Sequence, residues 1–491
     1  MPLRLYDTYS KKEKEFIPRK KGEVTMYTCG PTVYGRPHIG NYSSFLMADL
    51  LRRWLEVSGY TVKHVKNITD VGHLVADRDG GEDKIEKQAR HVARERRGGG
   101  GDLTKEEVMS IAREYEAQYL EDEKALNMKE PFARPRATET IPEMIAIIEV
   151  LLKEGHAYET EDGVYFSVES FPAYGKLSGN TIENVASGSR IEVDEKKKHP
   201  ADFALWKKTV GSNADHILRW TSPWGEGFPG WHIECSAMSR KFLGEQIDLH
   251  TGGEDNIFPH HECEIAQSEC SGKKPFVRLW LHKRRIDLGS EKMSKSLGNV
   301  LTIPDILAMG FSPLDLRYYL LSVHYRTQLK FTKKGLEDAH KARRRVMEWM
   351  EEVGGEDREE KKRRPAFAPG SQELRTGRGG DEWQQKFAYA MYSDLNTPGA
   401  LGVVFEAMAA SRKGKELGSY RAFLSLVRET FGCFEPESAG SIPGTVMELL
   451  EQRKAARAKK DFAASDRLRD EIRTLGYEVR DEGKEQTVKK L

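Results

Sequence analysis

The chain has 491 residues, of which 32% are charged and 38% hydrophobic, and its formal net charge is +1. This length predicts two to four domains, and the balanced charge does not by itself indicate a nucleic-acid partner. No apolar run approaches the ~20 residues of a membrane-spanning helix, and the first residues lack an apolar signal core, so we expect no membrane partner and a cytoplasmic location.

The first third of the chain alternates strand-like and helix-like segments. Val24 to Cys29 is a short β-prone run, and Ser43 to Val57 has apolar residues at helical spacing, with Ser43 or Ser44 available as the N-cap. Thr61 to Thr69 is predicted to be the next strand. A strand, a helix and a strand within this distance predict a Rossmann-type, doubly wound parallel α/β sheet.

The middle of the chain predicts two insertions into this sheet. Residues 72–104 are rich in glycine and charge, and Thr104 to Leu126 is predicted to be a helix. Residues 131–220 show a different pattern of predicted elements. A helix is predicted near 140–154, and short β-prone pieces follow around Tyr165, Ile191 and Phe203. Gln246 to Thr251 is predicted to be the strand that resumes the sheet.

From residue 301 onward the chain is mostly helical. Residues 353–381 carry charge, glycine and proline with almost no apolar side chains, which predicts a disordered linker. Helices are predicted at about 382–432 and 446–475, as an all-α bundle, and Tyr477 to Val488 can form a hairpin.

The first chemical motif is Pro31 to Asn41, between the first predicted strand and the first helix. A loop at this place aims backbone N–H groups and the positive end of the helix at one point, where a phosphate binds. Gly40 lets a nucleotide approach the backbone, and His38 and Asn41 supply hydrogen-bond donors. An ordinary strand-to-helix turn would have much the same sequence.

The second motif is Lys292 to Ser296, the sequence KMSKS. Two lysines at this spacing can stabilise the negative charge that develops on a leaving pyrophosphate. Either motif alone is weak, but the pair, in this order, resembles the paired signature of class I aminoacyl-tRNA synthetases. The first signature of that family usually ends in His, and Asn41 stands there in this chain. Asn can donate a hydrogen bond but cannot carry a positive charge.

The sequence also offers candidate metal ligands. His260 and Glu264 are four residues apart on a helix predicted to begin at Pro259, so their side chains share one face. Together with Cys29 and Cys235 they make a donor set that suits Zn²⁺. Spacing leaves other residues open, because Cys263 is three residues from His260 and His261 is adjacent to it, and buried thiols without a metal would fit as well. The remaining cysteines are Cys270 and Cys433.

Several segments resemble cysteinyl-tRNA synthetases, namely MYTCGPTVYGRPHIGN, GWHIECSAMS, GGEDNIFPHHECEIAQS and EKMSKSLGNV. The resemblance implies that Cys29, Cys235, His260 and Glu264 hold one Zn²⁺ per chain. It also implies that Trp231 and His232 line the amino-acid pocket, although Trp231 would equally suit a core.

The resemblance further implies the reaction and the partners. We expect ATP with Mg²⁺, L-cysteine and tRNA(Cys) as substrates, and a monomeric protein. His38, Asn41, Lys292 and Lys295 would be catalytic, and Gly40 and Lys295 would contact ATP. The alternative is a ligase that joins cysteine to an amino sugar, but that relative lacks a C-terminal RNA-binding region, whereas here about 110 residues follow the linker.

These inferences define the expected domains. They are 1–130 and 221–300 as the two halves of the Rossmann catalytic domain, 131–220 as an inserted connective module, 301–352 as a stem-contact helical region, 353–381 as a disordered linker, and 382–491 as a helical anticodon-binding region with a small C-terminal tail.

Overall fold

The computed structural model describes residues 2–72, 83–97, 103–180, 196–287, 300–354, 381–413, 417–435, 444–458, 461–475, 477–482 and 485–490. The chain forms two compact units, one ending at Cys433 and one beginning at Phe434. Three sequence predictions fall outside the described residues: most of the linker 353–381, the β-prone piece at Ile191, and the motif Lys292 to Ser296. Within the described ranges, no helix is both long and apolar enough to cross a membrane.

Thirteen strands are described in the first unit. In chain order they are β1 (Arg4–Asp7), β2 (Lys12–Glu15), β3 (Glu23–Thr28), β4 (Thr61–Lys66), β5 (Ala157–Glu159), β6 (Gly163–Phe166), β7 (Phe203–Lys208), β8 (Trp220–Ser222), β9 (Gly225–Pro229), β10 (Ile247–Gly253), β11 (Val277–Lys283), β12 (Ile286–Asp287) and β13 (Leu329–Lys330).

The α-helices described in the first unit are α1 (Ile39–Val57), α2 (Lys84–Arg97), α3 (Lys105–Ala125), α4 (Ile141–Lys153), α5 (Trp231–Leu243), α6 (Glu262–Gly272), α7 (Ile303–Ala308), α8 (Pro313–Leu321), α9 (Lys333–Val353), α10 (Asp381–Tyr392), α11 (Thr397–Ser411) and α12 (Arg421–Phe431).

The central sheet has four strands in the order β11–β10–β3–β4, and every neighbouring pair is parallel. The chain runs from β3 to β4 on one side and returns to the other side of β3 for β10 and β11. The predicted doubly wound parallel sheet is therefore confirmed. In such a sheet, ligands bind at the carboxyl ends of the strands where the winding reverses, which here are β3 and β10.

Helix α1 packs against this sheet, and it begins earlier than the sequence suggested. Its N-cap is His38, not Ser43 or Ser44, and its first residue is Ile39. The His38 ring accepts a hydrogen bond from the backbone N–H of Gly40, while the Asn41 side chain accepts one from the backbone N–H of His38. This reciprocal pair satisfies two backbone donors in the manner of a capping box, with residue types other than the usual Ser and Glu.

The inserted module between β4 and β10 is an antiparallel sheet in the order β5–β6–β7–β9–β8, preceded by α4. Helix α3 begins at the predicted place, where Thr104 and Glu107 form a capping box. Residues 84–97 of the predicted first insertion form helix α2, so this insertion is partly helical.

A buried ionic network joins α1 to the helices that follow the sheet. Arg317 of α8 is fully buried and donates to Asp49 Oδ2 at 2.5 Å, to Phe431 O at 2.6 Å and to Leu126 O at 2.9 Å. Arg53 also donates to Asp49, at 2.7 Å. Burial opposes ionisation of the Asp49 carboxyl, but the two arginines hold its pKa below the usual value.

The second unit contains helices α13 (Gly444–Ala458) and α14 (Phe462–Thr474), followed by strands β14 (Tyr477–Glu482) and β15 (Glu485–Lys490). The two strands pair antiparallel, so the predicted hairpin is present. Val446, Ile472 and Val479 are buried together and form its core.

Candidate active site at the carboxyl edge of the parallel sheet

The predicted ligands and the predicted nucleotide loop meet at one edge of the central sheet. Cys29 directly follows β3, and its backbone N–H donates to Thr251 O of β10 at 3.3 Å. Strand β10 ends in Gly252 and Gly253. A Cβ on Gly252 would lie 2.6 Å from Cε1 of His261, so only glycine lets the chain pass this close to the site.

The four predicted metal ligands come together here. Cys29, Cys235, His260 and Glu264 are all buried, and each offers a donor atom within 4.8 Å of the other three. The Sγ atoms of the two cysteines are 3.8 Å apart, and His260 Nε2 lies 3.1 Å from Glu264 Oε1. Two thiols, an imidazole and a carboxylate that converge in this way fit Zn²⁺ in type and in number.

Three different elements deliver these ligands. Cys235 lies in the first turns of α5, and Glu264 lies in the first turn of α6. His260 precedes α6 in a π-helical turn, Ile257–His261, so the helix predicted from Pro259 begins only at Glu262. The predicted proximity of His260 and Glu264 holds although the backbone between them is not a regular helix.

Ionisation within the cluster is uneven. Burial opposes ionisation of the Cys235 thiol, but its hydrogen bond with Cys29 and the charge of His260 lower its pKa to about 6. Burial raises the pKa of the Cys29 thiol well above its usual value, and Cys235 adds to this. Burial disfavours the imidazolium of His260, yet Cys235 raises its pKa to about 10. Burial opposes ionisation of Glu264, but His250 and His260 lower the pKa of its carboxyl to about 2. The cluster thus holds a thiolate, a carboxylate and an imidazolium.

The two competing ligands are distinguished by their surroundings. Cys263 Sγ lies 3.5 Å from the hydroxyl of Tyr174, and Cys263 does not belong to either ligand group among the described residues. His261, in contrast, belongs to a second possible group with Cys29, His250 and Glu264. Its Nε2 is 3.2 Å from Cys29 Sγ.

Two histidines that the sequence reasoning missed support this region from the sheet. His250 Nε2 lies 3.0 Å from Glu264 Oε2, and His282 Nε2 lies 2.7 Å from His261 Nδ1. The other ring nitrogen of His282 is 2.8 Å from the Thr8 hydroxyl. Both histidines lie close to the carboxyl ends of buried strands, β10 and β11, and polar side chains at such positions are the signal that could have found them.

Trp231 and His232 lie beside His260. The Trp231 ring stacks on the His260 ring with a centroid distance of 4.4 Å, and His232 Nδ1 is 3.0 Å from His260 Nδ1. The two residues therefore fix the plane of the His260 ring. Both residues are only partly buried.

The nucleotide loop presents donors at the start of α1. His38 Nδ1 accepts the Gly40 N–H at 3.1 Å, which places the proton of the neutral ring on Nε2. Asn41 Oδ1 accepts the His38 N–H at 3.1 Å, so its amide NH₂ group remains the donor. The His38 ring and the Asn41 amide can thus each offer an N–H.

Lys292, Lys295 and Ser296 lie outside the described residues, but the chain just after them is described. The backbone N–H of Ile39, the first residue of α1, donates to Leu301 O at 2.9 Å. The chain therefore passes the beginning of α1 at Leu301, only five residues after Ser296.

Comparisons with known proteins agree with this geometry. Residues 15–341 match the family of tRNA synthetases class I (C) catalytic domains, residues 386–434 match the DALR domain, and residues 439–488 match the cysteinyl-tRNA ligase anticodon binding domain. The chain is 43% identical to a cysteine--tRNA ligase of Thermus thermophilus, over 98% of both chains. It is 40% identical to that of Deinococcus radiodurans, over 98% of this chain and 95% of the relative.

Solved structures share the fold at low identity. A methionyl-tRNA synthetase of Mycobacterium tuberculosis in complex with methionyl-adenylate is 14% identical with a TM-score of 0.53, covering 90% of this chain and 96% of that one. A LeuRS–tRNA–LeuAMS complex from Agrobacterium radiobacter is 12% identical with a TM-score of 0.55, covering 85% of each chain. From the family match and the nearly full-length relatives, the chain belongs to the cysteine--tRNA ligase family of class I tRNA synthetases.

Proposed function

We propose that this chain activates L-cysteine with ATP and transfers it to the 3′ end of tRNA(Cys), and that one Zn²⁺ per chain selects the cysteine thiolate. The observation that carries the metal part is the convergence of Cys29, Cys235, His260 and Glu264 within 4.8 Å at the sheet edge that also holds the nucleotide loop. The reaction is that of the relatives named cysteine--tRNA ligase.

The need for a metal follows from the substrate. Serine differs from cysteine only by oxygen in place of sulfur, and packing discriminates such near-isosteres by only ~1–3 kcal/mol. A bound Zn²⁺ supplies a soft acceptor that binds a thiolate and ignores a neutral hydroxyl. Cys29 and Cys235 hold the metal as thiolates, and His260 and Glu264 complete the set. His250 fixes the second carboxylate oxygen of Glu264, as partners of metal ligands commonly do.

The group of Cys29, His250, His261 and Glu264 is the alternative ligand set. It has one thiol, and the Nε2 atom of His250 is already engaged with the carboxylate of Glu264. The group with two thiols leaves this contact intact and places Trp231 and His232 against a ligand. It is therefore the set we propose.

The nucleotide residues act by positioning and charge. In the first step the cysteine carboxylate attacks the α-phosphate of ATP, the bond to the β-phosphate breaks, and pyrophosphate leaves. His38 and Asn41 donate to the phosphate and ribose region, and Gly40 allows the close approach. Lys292 and Lys295, with Mg²⁺ on the phosphates, neutralise the leaving pyrophosphate. In the second step a ribose hydroxyl of the tRNA attacks the carbonyl carbon and AMP leaves.

The C-terminal sequence favours tRNA over an amino sugar as the acceptor. Residues 439–488 match an anticodon-binding family, and such a region has no use in a ligase for a small acceptor. The expectations of a monomer, of a cytoplasmic location and of the six chain segments with their bounds stay predictions.

The experiment that tests this function is cysteine-dependent exchange of pyrophosphate into ATP, with serine as competitor, before and after removal of zinc. We expect exchange with cysteine, a rejection of serine that requires the metal, and recovery when Zn²⁺ is returned. Exchange that survives complete zinc loss with unchanged rejection of serine would contradict the selector role. Absence of cysteine-dependent exchange in the zinc-loaded protein would contradict the activity itself.

A further inference from the structure

Lys283 is a buried lysine whose ammonium group has no hydrogen-bond partner among the residues that the structure describes. It is the last residue of β11, its exposed fraction is 4%, and Nζ is one of the buried side-chain atoms without a partner. Lysine is almost never buried in this way unless it is paired. A partner from outside the protein is therefore expected.

The side chain lies on the face of the sheet against which α1 packs. Lys283 is in parallel register with Gly253 of β10, and neighbours in register point to the same face. A Cβ on Gly253 would lie 3.9 Å from Ser44 Oγ, so this is the face on which α1 packs. The preceding residue, His282, points to the opposite face and meets His261. His282 and Lys283, which are adjacent in β11, thus lie on the histidine face and on the α1 face of the sheet, respectively.

The charges around Lys283 do not neutralise it. Glu254 is the acidic group whose charge acts on Lys283, but its carboxylate is held by Arg285 Nε at 2.8 Å and by Arg284 Nε at 3.1 Å. Burial lowers the pKa of His324, and the positive charge of Lys283 adds to this lowering. Burial lowers the pKa of Lys283 to about 8, which Glu254 opposes, so the ammonium form still predominates at neutral pH.

An ammonium in this state destabilises the fold, because burial removes its water and no polar group of the described chain replaces that water. A methionine would fill the same space without the penalty. Groups that lower stability in this manner are retained where function needs them. At the carboxyl edge of the sheet, on the face where α1 packs, the anion that we expect beside Lys283 is a nucleotide phosphate.

We propose that Lys283 is a further phosphate-binding residue of the activation site, whose Nζ donates to the polyphosphate of ATP and to the pyrophosphate product. This rests on the nucleotide site of the proposed function. It adds a cation from the end of β11 to the phosphate contacts proposed for His38 and Asn41.

The test compares Lys283→Met with Lys274→Met in the full-length, zinc-loaded protein. Lys274 precedes β11 at the opposite end of the strand and pairs with Glu245 on the surface at 3.1 Å, so it controls for the loss of one positive charge. Binding of ATP and of inorganic pyrophosphate is measured by calorimetry without cysteine or tRNA. Thermal unfolding is recorded for each variant, and tRNA binding is measured in a separate arm.

Lys283→Met is expected to weaken ATP and pyrophosphate binding by about ten-fold or more, the loss of one charge-assisted hydrogen bond, while its Tm stays unchanged or rises. Lys274→Met should leave both unchanged. Unchanged ATP and pyrophosphate binding in Lys283→Met would overturn the proposal, as would a weakening confined to tRNA. A lowered Tm would overturn it too, because the ammonium would then stabilise the fold. Cysteine-dependent exchange by the unaltered protein is scored separately and decides the proposed function alone.

Discussion

Replacing Arg317 by methionine should destabilise the first unit strongly. The guanidinium is fully buried, and it donates to the carboxylate of Asp49 and to the carbonyl oxygens of Leu126, Asn127 and Phe431. Methionine fills similar space but leaves three carbonyls without this donor and leaves Asp49 with Arg53 as its remaining ionic partner. Removal of one partner from a buried ion pair typically costs about 3–5 kcal/mol. That loss is a large part of the stability of an ordinary domain.

The assay is urea unfolding followed by circular dichroism, with Arg96→Met as the matched control. Arg96 also bonds a carboxylate through two nitrogens, but the pair with Glu114 is exposed, so no measurable change is expected there. The double variant Asp49→Asn, Arg317→Met should lose less than the sum of the single variants, because the pair is removed together. A loss below about 1 kcal/mol for Arg317→Met, or strict additivity in the cycle, would refute the reasoning.

Three further predictions concern the metal, pH and tRNA. Cys235→Ser should lower the zinc content, measured by atomic emission, and the rejection of serine, whereas Cys263→Ser should keep both; equal zinc loss in the two variants would contradict the proposed ligand set. Burial raises the pKa of Asp83 from 3.8 to about 6. Between pH 3.8 and about 6 the folded form therefore binds more protons than the unfolded form, and the free energy of unfolding falls by about 3 kcal/mol as the pH rises through this window. Asp83→Asn should flatten this slope in urea titrations, and an unchanged slope would contradict the assignment. Phe462 is 65% exposed at the start of α14, and we expect its ring to stack on a tRNA base. Phe462→Ala should then weaken aminoacylation at limiting tRNA about ten-fold and leave pyrophosphate exchange unchanged, whereas Leu475→Ala should leave both unchanged. Equal effects of the two variants on aminoacylation would argue against stacking.

The parallel sheet was predictable because its strands are buried and separated by helices with clear apolar spacing. The start of α1 was not. Ser43 and Ser44 are ordinary N-cap residues, but the helix begins at His38, whose ring nitrogen takes the role of the cap. A histidine can accept a backbone N–H only when its tautomer permits, and sequence patterns carry no information about tautomers. The consequence is functional, because the cap places His38 and Asn41 at the first turn, where a phosphate would bind.

The metal site was predictable only in part. Spacing joins His260 to Glu264, but Cys29 and Cys235 are 206 residues apart in sequence, and only the order of the strands brings them to one edge. Family resemblance supplied what spacing could not. It did not supply His250 and His282, whose roles depend on which face of β10 and β11 each side chain occupies.

The face of the strand that a side chain occupies also decides what His282 and Lys283 contact at the end of β11. Side chains alternate along a strand, so His282 and Lys283 must point to opposite faces once the register with Gly252 and Gly253 is set. One face meets the histidines behind the metal ligands, and the other meets the helix that begins at the nucleotide loop. A shift of one residue in register would exchange the two, placing an ammonium beside the proposed cation site and an imidazole beside the phosphates. Gly252 leaves the space that the His261 ring occupies on the first face, so the proposed metal and nucleotide sites can share one strand end.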